Sequence, residues 1–240
     1  DKLIIDLRGN PGGFLEVAVD IASWFLPVGK VVVTEDYGDD TRDRVHRSRG
    51  YNVFTDRLNL VILIDQGSAS ASEIFAGALS ENGKGTLIGA QSFGKGSVQQ
   101  VFEVTDNTSV KVTVAHWLTP NGNSISDGGI TPDIEVKMPE YAQLPYINPE
   151  KELKESDLSD QVKTAEQMLN ALDLNPGNVD GYYDEDTTKA VKQFQEKNEL
   201  EVTGTLNAET TVKLMSNLRD KLKENDPQVK KAIEELNKNN

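Results

Sequence analysis

The chain has no cysteine, which excludes a thiol nucleophile, a cysteine-ligated zinc site and a disulfide framework. Histidine is almost as scarce, with only His46 and His116. Neither falls in a cluster of His, Asp and Glu at ligand spacing, so no metal or other cofactor is expected. No apolar run reaches the roughly 18 residues of a membrane span, and the first residues do not read as a signal peptide. Basic charge is also short, with 25 Lys and Arg against 39 Asp and Glu, a net charge of −14. The deficit is spread: residues 1–139 hold 12 basic against 18 acidic side chains. That leaves no basic face for nucleic acid or anionic lipid.

What is present is an ordinary globular composition over 240 residues, enough for one large core or two smaller ones. Lys2-Leu3-Ile4-Ile5-Asp6-Leu7 opens in what reads as a buried strand. A chain rarely begins inside its core, so the sequence is expected to continue a part that lies elsewhere. Apolar runs rich in Val, Ile and Leu predict strands at 3–7, 30–34, 58–64, 85–89, 97–104 and 109–118. Helical spacing predicts helices over 14–26 and 70–82, the first stopped by Pro27, the second by Asn82-Gly83. This alternation argues for an α/β layer with a substantially parallel sheet. Residues 36–56 are polar and read as a long exposed excursion. A Pro-rich and charged linker is expected at 140–157, with Pro145 and Pro149 inside it. Beyond it the pattern turns helical and repeats with an offset of 23 residues. Asp180-Gly181-Tyr182-Tyr183-Asp184 aligns with Thr203-Gly204-Thr205-Leu206-Asn207, each a Gly turn, an apolar plug and an N-capping Asp or Asn.

Three segments carry chemistry. In Leu60-Val61-Ile62-Leu63-Ile64-Asp65-Gln66-Gly67-Ser68-Ala69-Ser70-Ala71-Ser72-Glu73 an apolar strand runs through small residues into a helix. A serine at that junction sits at the sheet edge, and the N–H of Ala71 points the same way as an oxyanion donor. Ser70 and Glu73 also have capping-box spacing, so on this segment alone Ser70 reads at least as well as a simple N-cap. Phe93-Gly94-Lys95-Gly96-Ser97-Val98-Gln99 places Lys95 between two glycines ahead of a strand. Lysine acts as a base only when desolvated and neutral; in a regular strand Gln99 would share its face and orient the amine. An exposed turn lysine is the plainer reading. Asp6-Leu7-Arg8-Gly9-Asn10-Pro11-Gly12-Gly13 exposes backbone N–H groups suited to a second oxyanion donor, or is only a tight turn.

Together, in this order, the three segments resemble the carboxyl-terminal processing, or tail-specific, serine peptidases of the Ser–Lys type (the S41 family). The resemblance covers about residues 1–135. It implies a crotonase/ClpP-like α/β protease core, with Ser70 as nucleophile, Lys95 as base and Gln99 orienting the lysine. It places the oxyanion hole at Ala71 and one of Gly12 and Gly13. It further implies endoproteolysis of a protein or peptide substrate with an accessible C-terminus, a PDZ domain in the complete protein, and an extracytoplasmic bacterial location, membrane-anchored or secreted. Residues 158–217 resemble a small all-α peptidoglycan-binding-like module, which serves either peptidoglycan or assembly.

The rest of the chain, 218–240, is expected to form an amphipathic tail. Leu214, Leu218 and Leu222 recur at fours, and Val229, Ile233 and Leu236 form a stripe opposite Lys230, Lys231, Glu234 and Glu235. We expect that stripe to pair two protomers as a homodimer rather than to pack on its own chain. A Ser–His–Asp site is a weak rival, because His46 lies in the polar excursion and His116 on the apolar face of a strand, as a core histidine would, whether or not Asp65 took part. A catalytically silent wall-binding or scaffolding protein on the same fold is the stronger one.

Overall fold

The computed structural model describes residues 1–39, 41–51, 53–54, 58–126 and 128–238. These divide into two compact units, one made of 1–137 with 227–240, the other of 138–226.

The first unit is built on two four-stranded sheets. The parallel one has the order β1 (Lys2–Asp6), β4 (Asn59–Ile64), β5 (Thr86–Gly89), β8 (Ile134–Glu135). The antiparallel one has the order β3 (Arg44–Arg47), β2 (Val31–Asp36), β7 (Thr108–Leu118), β6 (Ser97–Thr105). The expected α/β core is therefore only half parallel. The second sheet is antiparallel because it is built from two pairs of consecutive strands, β2 with β3 and β6 with β7 (Asp106-Asn107 alone linking the latter), with β2 and β7 also antiparallel where the pairs meet. Strand β3 also corrects the reading of 36–56 as an excursion. It is polar because its side chains are mostly exposed, and His46 on it bonds Glu35 of β2, Nε2 to Oε1 at 2.7 Å. Strand β1 lies at an edge and is only half-buried. His116 is exposed on β7, not a core residue, since Ala115 and Trp117 on either side of it face inward.

Strand β4 is apolar from Leu60 to Ile64 because both faces are covered there, as parallel sheets require. Leu60, Ile62 and Ile64 pack with Val19, Ala22, Ile74 and Leu79 of α1 (Leu15–Ala22) and α2 (Ala71–Glu81). Val61 and Leu63, with Ile88 of β5, meet Ala232 and Leu236 on the other face. Those two residues belong to a helix at Pro227–Lys238, which is part of this first unit. That corrects the tail expectation. The apolar stripe is covered by the chain's own sheet, while Ile233 points out, 49% exposed.

In the second unit, helices α3 (Asp160–Ala171), α4 (Glu185–Lys197) and α5 (Ala208–Glu224) follow a short 3₁₀ turn at Glu140–Gln143. The helix at Pro227–Lys238 is then α6. Each of α3 to α5 is N-capped, by Ser159, Asp184 and Asn207, whose side chains accept the N–H of Val162, Thr187 and Thr210. The 23-residue repeat is closed from the preceding helix. Buried Glu166 accepts the Gly181 N–H at 2.9 Å and faces the Thr187 hydroxyl. Buried Gln195 accepts the Gly204 N–H at 2.8 Å and reaches Thr210. Leu214 and Leu218 of α5 fill this unit's core, so the helix runs through the expected 217/218 boundary and the division falls after Asp226 instead.

Candidate active site

Strand β4 delivers Asp65–Ser70 to the start of α2, and Ser70 sits at the helix N-cap with φ 56° and ψ −118°. A non-glycine residue in that region costs on the order of 1–3 kcal/mol and persists only where its surroundings hold it. Here they do. The Ser70 N–H donates to Glu73 Oε2 at 2.8 Å, and its carbonyl accepts Glu73 and Ile74 N–H at 2.9 and 3.0 Å. The neighbouring serines are placed differently. Ser68 Oγ donates to the Leu7 carbonyl at 2.7 Å and accepts the Asp65 N–H at 3.0 Å. Ser72 is buried in the first turn of α2. Ser68 therefore fastens the turn to the segment after β1, and Asp65 Oδ1 adds to this by accepting the N–H of Gly9 and Gly67 at 2.8 and 2.9 Å.

Glu73 is fully buried and accepts four hydrogen bonds. Oε2 takes the N–H groups of Ser70 and Lys95, at 2.8 and 2.9 Å, while Oε1 takes Ser92 Oγ and Gly94 N–H at 2.5 and 2.7 Å. Such a carboxylate is tolerable in a core because every donor is aimed at it. It joins the serine turn to the lysine loop. Spacing showed Glu73 only as half of a capping box; nothing in the sequence marked its second set of donors.

Lys95 lies in the loop before β6, exposed, and Gln99 is exposed on β6. Strand β6 begins only at Ser97, so Lys95 stands in the loop ahead of it and the regular strand expected to align Gln99 with Lys95 does not extend that far. The desolvation expected of Lys95 is likewise not supplied by these residues. The main chain is nonetheless tightly set. Trp117 N–H donates to the Gly96 carbonyl at 2.7 Å, and a Cβ on Gly96 would stand 2.3 Å from Ser126 N. Only glycine fits that approach.

The two candidate oxyanion glycines also separate. The Gly12 N–H is engaged by Asn10 Oδ1 at 2.9 Å, and a Cβ on Gly12 would meet Ala69 O at 2.5 Å and Ala71 N at 2.7 Å. Gly13 has open space around it. Among the described residues no hydrogen bond takes the N–H of Gly13 or of Ala71. Beside them lies an apolar cleft of 250 Å³, lined by Leu7, Gly12, Gly13, Phe14, Ala71 and Phe75 among others. Among the described residues no group of His, Asp and Glu is arranged to hold a metal ion, and no helix is long and apolar enough to cross a membrane.

The model of peptidase family S41 matches residues 1–136. The chain belongs to that family. A peptidoglycan binding domain model matches residues 159–214 of the second unit. Among curated relatives, the S41 chain is 42% identical over 235 residues to carboxy-terminal processing protease CtpA of Bacillus subtilis (strain 168), covering 98% of this chain and 50% of that protein. It is 37% identical over 242 residues to CtpB of the same organism, covering 98% and 49%. The chain thus spans about half the length of the curated relatives it matches. Among solved structures, a photosystem II D1 C-terminal processing protease matches at TM-score 0.53 and 35% identity, over 60% of this chain and 36% of that one.

Proposed function

We propose that this S41 chain is the catalytic half of a serine endopeptidase that cleaves polypeptides near their C-termini. Ser70 Oγ attacks the scissile carbonyl carbon while neutral Lys95 takes its proton, with Gln99 orienting the amine. Collapse of the tetrahedral intermediate breaks the C–N bond, Lys95 passes the proton to the leaving amine, and water then hydrolyses the Ser70 ester. The oxyanion is held by the N–H groups of Ala71 and Gly13. Gly13 is preferred to Gly12 because the Gly12 N–H already serves Asn10. The observation that carries the reading is the shared Glu73 carboxylate, which fixes the Ser70 and Lys95 main chains to one another. The open, apolar cleft beside Gly13 suits an apolar substrate side chain.

In this reading Lys95 loses its water when substrate, or the remainder of the complete protein with its PDZ domain, closes over the loop. The second unit's match to a peptidoglycan binding domain supports a place at the bacterial cell envelope, outside the cytoplasm, with the module on wall polymer. Pairing into a homodimer uses a surface other than the covered stripe of α6.

Labelling of the complete protein by a fluorophosphonate tests the assignment. Labelling is expected in the wild type and absent in Ser70→Ala. No labelling of the wild type, with intact folding, would leave the silent scaffold as the better reading.

A further inference from the structure

The chain returns to the first unit through α6, and the second residue of that helix, Gln228, is 1% exposed. Its carboxamide is used at both ends. Oε1 accepts Arg8 Nη1 at 2.9 Å, and Nε2 donates to the Val136 carbonyl at 2.8 Å. Arg8 also grips Asp6, Nε to Oδ1 at 2.9 Å and Nη2 to Oδ2 at 2.7 Å. Burial pushes the Asp6 carboxyl up, but the hydrogen bonds and charge of Arg8 outweigh it and hold it below the ordinary carboxylate range. Arg8 is thus held between the last residue of β1 and the first turn of α6. The next residue, Gly9, begins the turn that ends at Gly13.

The other end of the amide reaches further. Val136 N–H donates to the Gly89 carbonyl at 2.8 Å, and Ala90 N–H to the Ile64 carbonyl at 3.0 Å. Gln228 therefore completes a belt across the carboxyl ends of β1, β8, β5 and β4, the end of a parallel sheet where sites form. A residue needed only to fill this space would be apolar, since burying an amide without partners is costly. The bidentate use of Gln228 is a matter of direction, not volume.

We propose that Gln228 is a positioning residue for the oxyanion turn: through Arg8 it fixes the Asp6–Gly13 segment, and with it the Gly13 N–H opposite Ser70. The inference rests on the oxyanion assignment above. Such a residue touches no substrate. Its loss displaces a donor whose worth is greatest in the transition state, so turnover suffers more than substrate binding.

The experiment compares steady-state cleavage of a peptide by the complete protein and its variants. Gln228→Met keeps the volume and removes both hydrogen bonds; it is expected to lower kcat about tenfold with KM within about twofold. Gln228→Glu keeps the acceptor for Arg8 and is expected to restore most of that loss. Leu236→Ala, on the same helix but packed on Val61, Leu63 and Ile88, is expected to lower Tm while kcat at permissive temperature stays near wild type. Wild-type kcat in Gln228→Met, or losses of kcat that track Tm alike in all variants, would overturn the inference. Should Gln228→Met fail to fold, Arg8→Lys must show the same kcat loss, and wild-type turnover there overturns it equally. Ser70→Ala separates the premises: residual turnover there sinks the nucleophile and oxyanion assignment, whereas a dead Ser70→Ala with an unaffected Gln228→Met sinks the role of Gln228 alone.

Discussion

The main-chain N–H groups of Ser70 and Lys95 donate to one and the same oxygen, Oε2 of Glu73, at 2.8 and 2.9 Å. Two residues 25 positions apart in the chain are thereby set by a single buried charge. A hydrogen bond to a charged group contributes about 1.5–3 kcal/mol. Glu73→Gln must turn an amide nitrogen toward donors at one end, losing two of the four bonds. We expect kcat/KM to fall by at least about 100-fold, with Tm lowered as well. Steady-state kinetics and thermal denaturation check both; turnover within about fivefold of wild type would show that the bridge does not position the site.

The proposed dyad acts as a unit. Ser70→Ala and Lys95→Ala should each reduce turnover by at least about 1000-fold, and the double variant should be little worse. Lys95→Arg should be equally inactive, because a guanidinium does not deprotonate at working pH. Peptide hydrolysis by Lys95→Arg near the wild-type rate would remove lysine as the base.

Gly12 and Gly13 should respond in opposite ways to alanine. At Gly12, with φ +90°, the new methyl would lie 2.5 Å from Ala69 O and 2.7 Å from Ala71 N, inside the nucleophile turn. Gly12→Ala is expected to abolish activity and lower Tm. Gly13→Ala meets no atom within 4 Å and keeps its N–H, so it should fold normally and retain a substantial part of the rate. Equal losses in the two variants would contradict the division of roles.

Burial pushes the Glu166 carboxyl above its ordinary range, against the Gly181 N–H, which favours the charged form. Folding therefore favours the protonated acid. The stability it contributes is complete at pH below the unfolded value and is lost as pH rises through the folded value. Gln195 fills the equivalent place in the second copy of the repeat without a charge. Glu166→Gln is expected to raise Tm of the second unit at pH above the folded value and to flatten the decline that sets in as pH rises past the ordinary value of 4.5. Calorimetry as a function of pH, begun below that ordinary value, checks it; a Tm decline as steep as wild type would show that Glu166 is not the group responsible.

The strand–turn–helix around Ser70 was legible because an uninterrupted apolar run, small turn residues and helical spacing leave few alternatives. The 23-residue repeat was legible from its Gly turns and caps for the same local reason. Strand β3 was not, because a strand whose side chains face water carries no apolar signature: Arg44 and Arg47 read as loop. The register shift opposite Val98 and Gln99 places its extra residue, Val114, on β7 and leaves no mark in local composition. The α6 stripe showed that Leu236 would be buried, but amphipathicity says nothing of the partner. The clue lay in β4, whose residues 60–64 are apolar on both faces and so required a second cover. Glu73 was the largest omission, since a buried charge is recognisable only once its donors converge.

The second unit is nested inside the first rather than appended to it: the chain leaves at Lys137 and returns at Pro227. The reading frame thus ties the two together. A stop codon or frameshift anywhere between those points also deletes α6, baring Val61, Leu63 and Ile88 and removing Gln228 from Arg8. Truncation from the C-terminus cannot yield a peptidase that has merely shed its module. An internal excision keeps that cover, because Val136 and Gln228 are already hydrogen-bonded across the gap, and a short splice from Lys137 to Pro227 would leave the frame of the sheet intact. A lineage could dispense with this module only by a clean, in-frame deletion.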